Sequence, residues 1–156
     1  MRILFVCLGN ICRSPIAEGV MKELVNQYQL DWIIDSAGTE SYHVGEAPHP
    51  HSQQVCAEHQ IDISQQRASH FHHGMIQQYD RIYAMAADVL EEIKEISGKQ
   101  FDPDKVQLFL EALYPHQHRS VKDPWYGTLP GYYEVYEEIR NGCEAIVQSH
   151  KSRQQQ

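Results

Sequence analysis

The apolar positions begin as an unbroken block. Ile3-Leu4-Phe5-Val6 follows a single charge, Arg2, with no polar residue inside it, the pattern of a strand covered on both faces. The block stops at Cys7-Leu8-Gly9-Asn10-Ile11-Cys12-Arg13, and the period then changes. Ile16, Ala17, Val20, Met21, Leu24, Val25 and Tyr28 recur at helical spacing, with Glu18, Lys22, Glu23, Asn26 and Gln27 on the opposite face. Ser14-Pro15 predicts the helix start, with serine as N-cap and proline as the first helical residue. Residues 1–28 therefore read as strand, tight loop, helix.

The alternation continues along the chain. Trp32 to Gly38 reads as a second strand ending in small residues, and 39–50 as a loop marked by Gly45, Pro48 and Pro50. A short helix is expected from Ser52 to His59 with Val55 and Cys56 inward, then an ambiguous, histidine-rich stretch. Tyr79 to Met85 is a third strand. Asp88 to Ile96 is a helix with Val89, Leu90, Ile93 and Ile96 inward, closed by Gly98. Lys105 to Phe109 is a fourth strand. A long connection over 110–131 holds Asp123-Pro124-Trp125-Tyr126-Gly127, and loops of that length inside a compact domain tend to be functional. The last helix is expected from Pro130 to His150. Strands alternating with helices predict an α/β fold: a single doubly wound domain over 1–150, with a four-stranded parallel sheet and helices on both faces. Residues 151–156 read as a polar C-terminal tail. Such sheets bind ligands at the carboxyl ends of their strands, beside the switch point.

Composition narrows the chemistry. The 156 residues are 42% hydrophobic and 22% charged, enough for one ordinary core. The net charge of −8 argues against nucleic-acid or acidic-membrane partners, which need clustered positive charge. No apolar run is long enough to span a membrane, and the N-terminal run is too short for a signal peptide. A cytoplasmic, reducing setting is expected. The four cysteines, at 7, 12, 56 and 143, form no CxxC pair, so neither a zinc ribbon nor a thioredoxin-type motif is present. The histidines group loosely (His49 and His51; His70, His72 and His73; His116 and His118), and solvated loop histidines explain them better than a metal site.

The loop after the first strand carries the chemistry. A short turn wrapped onto a helix N-terminus aims backbone N–H groups at one point, and the helix dipole adds positive potential there. A phosphoryl dianion fits such a cradle, and Arg13 can close it with a planar fork. The same field favours the thiolate form of a cysteine beneath it. Gly9 permits positive φ and Asn10 tolerates it. A C-x5-R spacing alone is common by chance. Strand before, glycine within and Ser-Pro after it make Cys7 a nucleophile rather than a packed core thiol. Asp123 is the candidate acid for the departing oxygen, stiffened by Pro124 and flanked by Trp125 and Tyr126; the plain alternative is a surface turn plugged against the core.

Val6-Cys7-Leu8-Gly9-Asn10-Ile11-Cys12-Arg13-Ser14-Pro15-Ile16-Ala17-Glu18 closely resembles the signature of the low-molecular-weight protein tyrosine phosphatases. Asp35-Ser36-Ala37-Gly38-Thr39 and Asp123-Pro124 match further family elements in order, so the resemblance covers essentially the whole chain. It implies metal-independent hydrolysis of protein tyrosine phosphate through a phosphocysteine, without cofactor. Cys7 would be the nucleophile, Arg13 would bind phosphate and stabilise the transition state, and Asp123 would act as acid and then base. Leu8, Gly9, Asn10, Ile11, Cys12 and Ser14 would form the phosphate-binding loop, its shape held by Asn10, Ser14 and Ser36. Tyr42, Trp125 and Tyr126 would line the substrate slot. The partner would be a phosphotyrosine-containing protein, with a tyrosine kinase as a candidate, and the chain a monomer or weak oligomer.

Three positions colour that resemblance. Trp125 stands where the family often has tyrosine. Gln66 stands where the family has a histidine, which would weaken or rearrange a brace on Asn10. Ile11 stands where phosphoarginine-directed relatives have threonine, favouring aryl phosphates. Cys12, next to Arg13, is placed to form a reversible disulfide with Cys7. Arsenate reduction on a similar loop is disfavoured, because only Cys56 lies between Cys12 and Cys143 to resolve an arsenylated thiol. A binding module without turnover would need neither the thiolate nor the acid.

Overall fold

Alternation inside the first apolar block decides the architecture. In β1 (Arg2–Cys7) the side chains of Ile3, Phe5 and Cys7 enter one core, and those of Leu4 and Val6 enter another on the opposite face. In the computed structural model, which describes residues 1–154, β1 pairs with β2 (Ile33–Gly38) on one side and with β3 (Arg81–Ala84) on the other, and β3 pairs with β4 (Val106–Leu108). The sheet is all parallel, in the order β2-β1-β3-β4. The expected doubly wound, four-stranded sheet is therefore what the chain adopts.

Helices cover both faces. On the Ile3–Phe5–Cys7 side lie α1 (Arg13–Gln27), α2 (Pro50–Ala57) and α5 (Leu129–Gln154). On the Leu4–Val6 side lie α3 (Met75–Gln78) and α4 (Ala87–Ser97), which contribute Ile76, Val89 and Ile93. The Phe5 ring packs against Tyr83 and Phe109 at 5.7 and 5.8 Å between centroids. Gly98 ends α4 at φ +53°, as its position predicts.

Three expectations need correction. Ser14 does not cap α1: Cys12 occupies the N-cap, no side chain caps the helix, and Ser14 lies inside the first turn with its hydroxyl turned to the loop. Pro15 is tolerated there because first-turn N–H groups have no intrahelical acceptor. Glu18 is not on a solvated face. Ile61 and Ile63 pack against that side of α1 at Gly19, and Glu18 is buried at 8% exposure with its carboxylate on Ser36 and Lys22. Residues 151–154 are not a loose tail. They continue α5, which meets no breaker, carries Lys151 and Arg153 in its last turn, and sets Lys151 over the Tyr28 ring. Residues 155 and 156 lie outside the described residues.

Candidate active site

The chain leaves β1 to build β2 on one side of it and then crosses to build β3 on the other, so the carboxyl end of β1 lies at the switch point where open α/β sheets bind ligands. Cys7 is the residue at that end. Neighbours hold the carbonyls of Cys7, Leu8, Ile11 and Cys12. Thr39 and Glu40 donate their N–H groups to Cys7 O and Leu8 O at 3.0 and 2.9 Å. His49 N–H donates to Ile11 O at 2.8 Å, and the Ser52 hydroxyl donates to Cys12 O at 3.1 Å. The amides of the same loop, from Gly9 to Cys12, are left free of protein carbonyls. Among the described residues the N–H groups of Gly9, Ile11 and Cys12 meet no acceptor, and that of Asn10 reaches the Cys7 sulfur at 3.3 Å. The uncapped start of α1 adds its own unpaired amides at the same place.

Asn10 holds this shape from a left-handed backbone position, φ +59°. Its side-chain amide donates to Ser14 Oγ at 2.8 Å and to Ser36 Oγ at 3.0 Å, and its Oδ1 accepts the Ser69 N–H at 2.9 Å. Ser36 donates onward to Glu18 at 2.6 Å, and Glu18 pairs with Lys22 at 2.7 Å. The Ser14 hydroxyl lies 3.0 Å from Cys7 Sγ. The brace on Asn10 is thus the backbone of Ser69. Gln66, at the histidine position of the resemblance, bonds instead to Pro15 O at 3.1 Å.

Arg13 is buried, at 4% exposure, in the first turn of α1. One guanidinium nitrogen donates to Val121 O at 3.1 Å, and another lies 3.6 Å from the Asp123 carboxylate. Among the described residues its buried Nε–H has no acceptor. That orphan donor beside free loop amides fits an oxyanion, since a buried donor left unmade is destabilising. Cys7, Arg13 and Asp123 line one cavity of about 200 Å³, walled also by Leu8, Gly9, Ile11 and Cys12 of the loop and by Trp125 and Tyr126. The Trp125 N–H donates to Asp123 Oδ1 at 3.1 Å, leaving Oδ2 toward Arg13.

Asn10 and Ser14 support the loop without lining the cavity, and of the three expected slot residues Tyr42 is the exception. It does not line the cavity and is 82% exposed, because the turn over 42–45, with Gly45 at φ +88°, swings it outward. His43 takes the wall position instead. Its ring packs on Gly9 and lies 5.5 Å from Trp125, and its Nδ1 pairs with Glu46 at 2.6 Å. Glu40 also lines the cavity and, like His43, carried no motif signal. Cys12 is a buried thiol 3.5 Å from the Tyr132 hydroxyl, and burial pushes its pKa up to about 12.

A cysteine at the end of a central strand, followed by a short loop onto a helix start in a doubly wound α/β domain, is an arrangement shared by a class of phosphate-handling proteins. The sequence profile described as low molecular weight phosphotyrosine protein phosphatase matches residues 2–156, and the chain belongs to that family. A low molecular weight phosphotyrosine protein phosphatase of Gallus gallus is 36% identical over 149 residues, covering 94% of this chain and 93% of its own. A protein tyrosine phosphatase of Entamoeba histolytica, solved with Hepes in its active site, superimposes with a TM-score of 0.90 at 30% identity, covering 99% of both chains. A drosophila arginine phosphatase does so with a TM-score of 0.88 at 31% identity, covering 97% of this chain and 98% of its own. The chain is accordingly a hydrolase of phosphoric monoesters, in a family that acts on phosphoproteins with a cysteine nucleophile and no metal. Among the described residues no helix is long and apolar enough to cross a membrane.

Proposed function

We propose that the chain hydrolyses phosphotyrosine in proteins through a phosphocysteine on Cys7. The observation that carries this reading is the convergence of Cys7, Arg13 and Asp123 on one small cavity, with Arg13 3.6 Å from Asp123 and its Nε–H unpartnered among the described residues. The phosphoryl dianion sits among the amides of 8–12 and the Arg13 fork. The Cys7 thiolate attacks phosphorus from below. Asp123, protonated at this stage, gives its proton to the departing phenolic oxygen, then takes one from the water that hydrolyses the phosphocysteine. Trp125, Tyr126 and His43 form the walls between which the aryl ring lies.

Ile11 favours an aryl ester over phosphoarginine. It offers an apolar wall where the phosphoarginine-directed relatives carry a hydroxyl. Residues 1–150 constitute the catalytic unit in this reading, in the cytoplasm, as a monomer or weak oligomer, with a tyrosine kinase among its substrates. The direct test is nitrophenol release from p-nitrophenyl phosphate in EDTA. Wild-type protein turns over and Cys7→Ser does not; equal activity of the two sinks the mechanism.

A further inference from the structure

His49 sits where three parts of the site meet. Its backbone N–H holds the Ile11 carbonyl of the loop at 2.8 Å. Its ring, the N-cap group of α2, accepts the His51 N–H on Nδ1 at 3.0 Å. The same ring stacks on Tyr132 of α5 at 5.1 Å and stands edge-on to Trp125 at 5.5 Å. Trp125 is thus gripped between two imidazoles, His49 and His43, and the Trp125 N–H fixes one oxygen of the Asp123 carboxyl. Contact thus runs from His49 to the Trp125 ring, and from the backbone N–H of that same residue to the acid.

We propose that His49 is a positioning residue for Asp123: as a neutral ring it props Trp125 and so aims the carboxyl over the cavity, and protonation on Nδ1 releases the prop. This rests on the reading of Asp123 as the acid. The cap bond dictates the neutral tautomer, because Nδ1 accepts only while unprotonated; a proton there would face the His51 N–H. The surroundings favour the same form, since burial and then the charge of His51 lower the pKa of His49 from its ordinary value. The other titratable groups packed around it are Tyr132, bonded to the Cys12 thiol, then Asp123 beside Arg13, and His43 paired with Glu46 across Trp125. Lowering pH therefore removes the prop through a folded-state pKa below 6.5, and raising it restores the prop.

Leaving groups separate this role from a structural one. Nitrophenolate departs with little help, whereas phenolate needs the acid. Wild type, Asp123→Asn, His49→Asn (cap kept, ring lost) and His49→Phe (ring kept, cap and proton lost) are compared on p-nitrophenyl phosphate and phenyl phosphate. His49→Asn should lose roughly tenfold in kcat/KM on phenyl phosphate and under about threefold on the nitrophenyl ester, a part of the 10²–10⁴ a positioned acid supplies; kcat/KM ends at departure of the phenol and leaves out the later step in which Asp123 serves both esters alike as base. His49→Phe should restore the ratio of the two substrates and abolish its fall at acid pH. Equal losses on both esters, or none, in His49→Asn while Asp123→Asn discriminates overturn the proposal alone. Absence of discrimination in Asp123→Asn overturns the reading beneath it. In Trp32→Phe protein, where Trp125 is the only indole, fluorescence should titrate with a midpoint below 6.5 and lose that transition in His49→Phe; a flat titration overturns the proposal without any His49 variant having to fold.

Discussion

The Ser14 hydroxyl lies 3.0 Å from the Cys7 sulfur while accepting the Asn10 side-chain amide at 2.8 Å. Toward a Cys7 thiolate, which has no proton to give, the hydroxyl can only donate. Together with the Asn10 N–H at 3.3 Å, it gives the sulfur two donors. Hydrogen bonds to a charged group contribute about 1.5–3 kcal/mol. Ser14→Ala should therefore lower kcat by roughly 10- to 100-fold and slow iodoacetamide alkylation of Cys7 at neutral pH in parallel. An unchanged alkylation rate would show that the serine does not stabilise the thiolate.

Asp123 and Arg13 are 3.6 Å apart, so the carboxylate competes with phosphate for the same guanidinium. Removing it should separate chemistry from binding. Asp123→Ala is expected to lose about 10²–10⁴ in kcat, the usual contribution of a positioned acid. Inhibition by inorganic phosphate should hold or tighten, because an anion facing the site is gone. Weaker phosphate binding in that variant would contradict the arrangement.

Gly38 pairs with Cys7 in the sheet, and a Cβ there would come within 2.8 Å of Leu8 O and 3.0 Å of Asn10 N. The obstacle is backbone of the anion loop and cannot rotate aside. Gly38→Ala should destabilise by about 1–3 kcal/mol, as overpacking does. Displacing the loop should lower kcat/KM by up to roughly 10²-fold, the cost of a misplacement of about 1 Å. A urea melt and p-nitrophenyl phosphate kinetics on the same sample check both, and intact kinetics would show that the loop yields freely.

The order of strands and helices was legible because it is written locally: Ile3 to Val6 as a two-faced strand, and Val89 and Ile93 as a helix stripe ending at Gly98. Cys7, Arg13 and Asp123 were legible because a motif marks them. What was not legible depends on partners far along the chain. The brace on Asn10 comes from Ser69, 59 residues away, through a backbone N–H that leaves no side-chain signature. Glu18 looks like a solvent residue until β2 brings Ser36 beside it. Tyr42 and His43 differ by one position in a turn whose twist, set near Gly45, decides which faces the cavity. His49 has no motif; its importance exists only once α2, α5 and the acid loop meet.

Cys12 is the expected disulfide partner of an oxidised Cys7. Its thiol is buried against the Tyr132 hydroxyl, and its pKa is pushed up to about 12, chiefly by burial, then by the nearby Cys7 and Asp123 charges against the opposing Tyr132 bond. A disulfide with Cys7 requires the Cys12 thiolate to attack an oxidised Cys7 sulfur. Below that pKa the thiolate fraction rises about tenfold per pH unit, so protection strengthens with alkalinity and fails toward acid. After peroxide treatment at pH 6, Cys7 should be found mainly as sulfinic acid. At pH 8.5 the Cys7–Cys12 linked peptide should grow at its expense, and Tyr132→Phe, which removes the hydroxyl from Cys12, should shift the balance back toward sulfinic acid. Peptide mass spectrometry reads both states, and a linked fraction independent of pH would mean that Cys12 is not the slow partner in this pair.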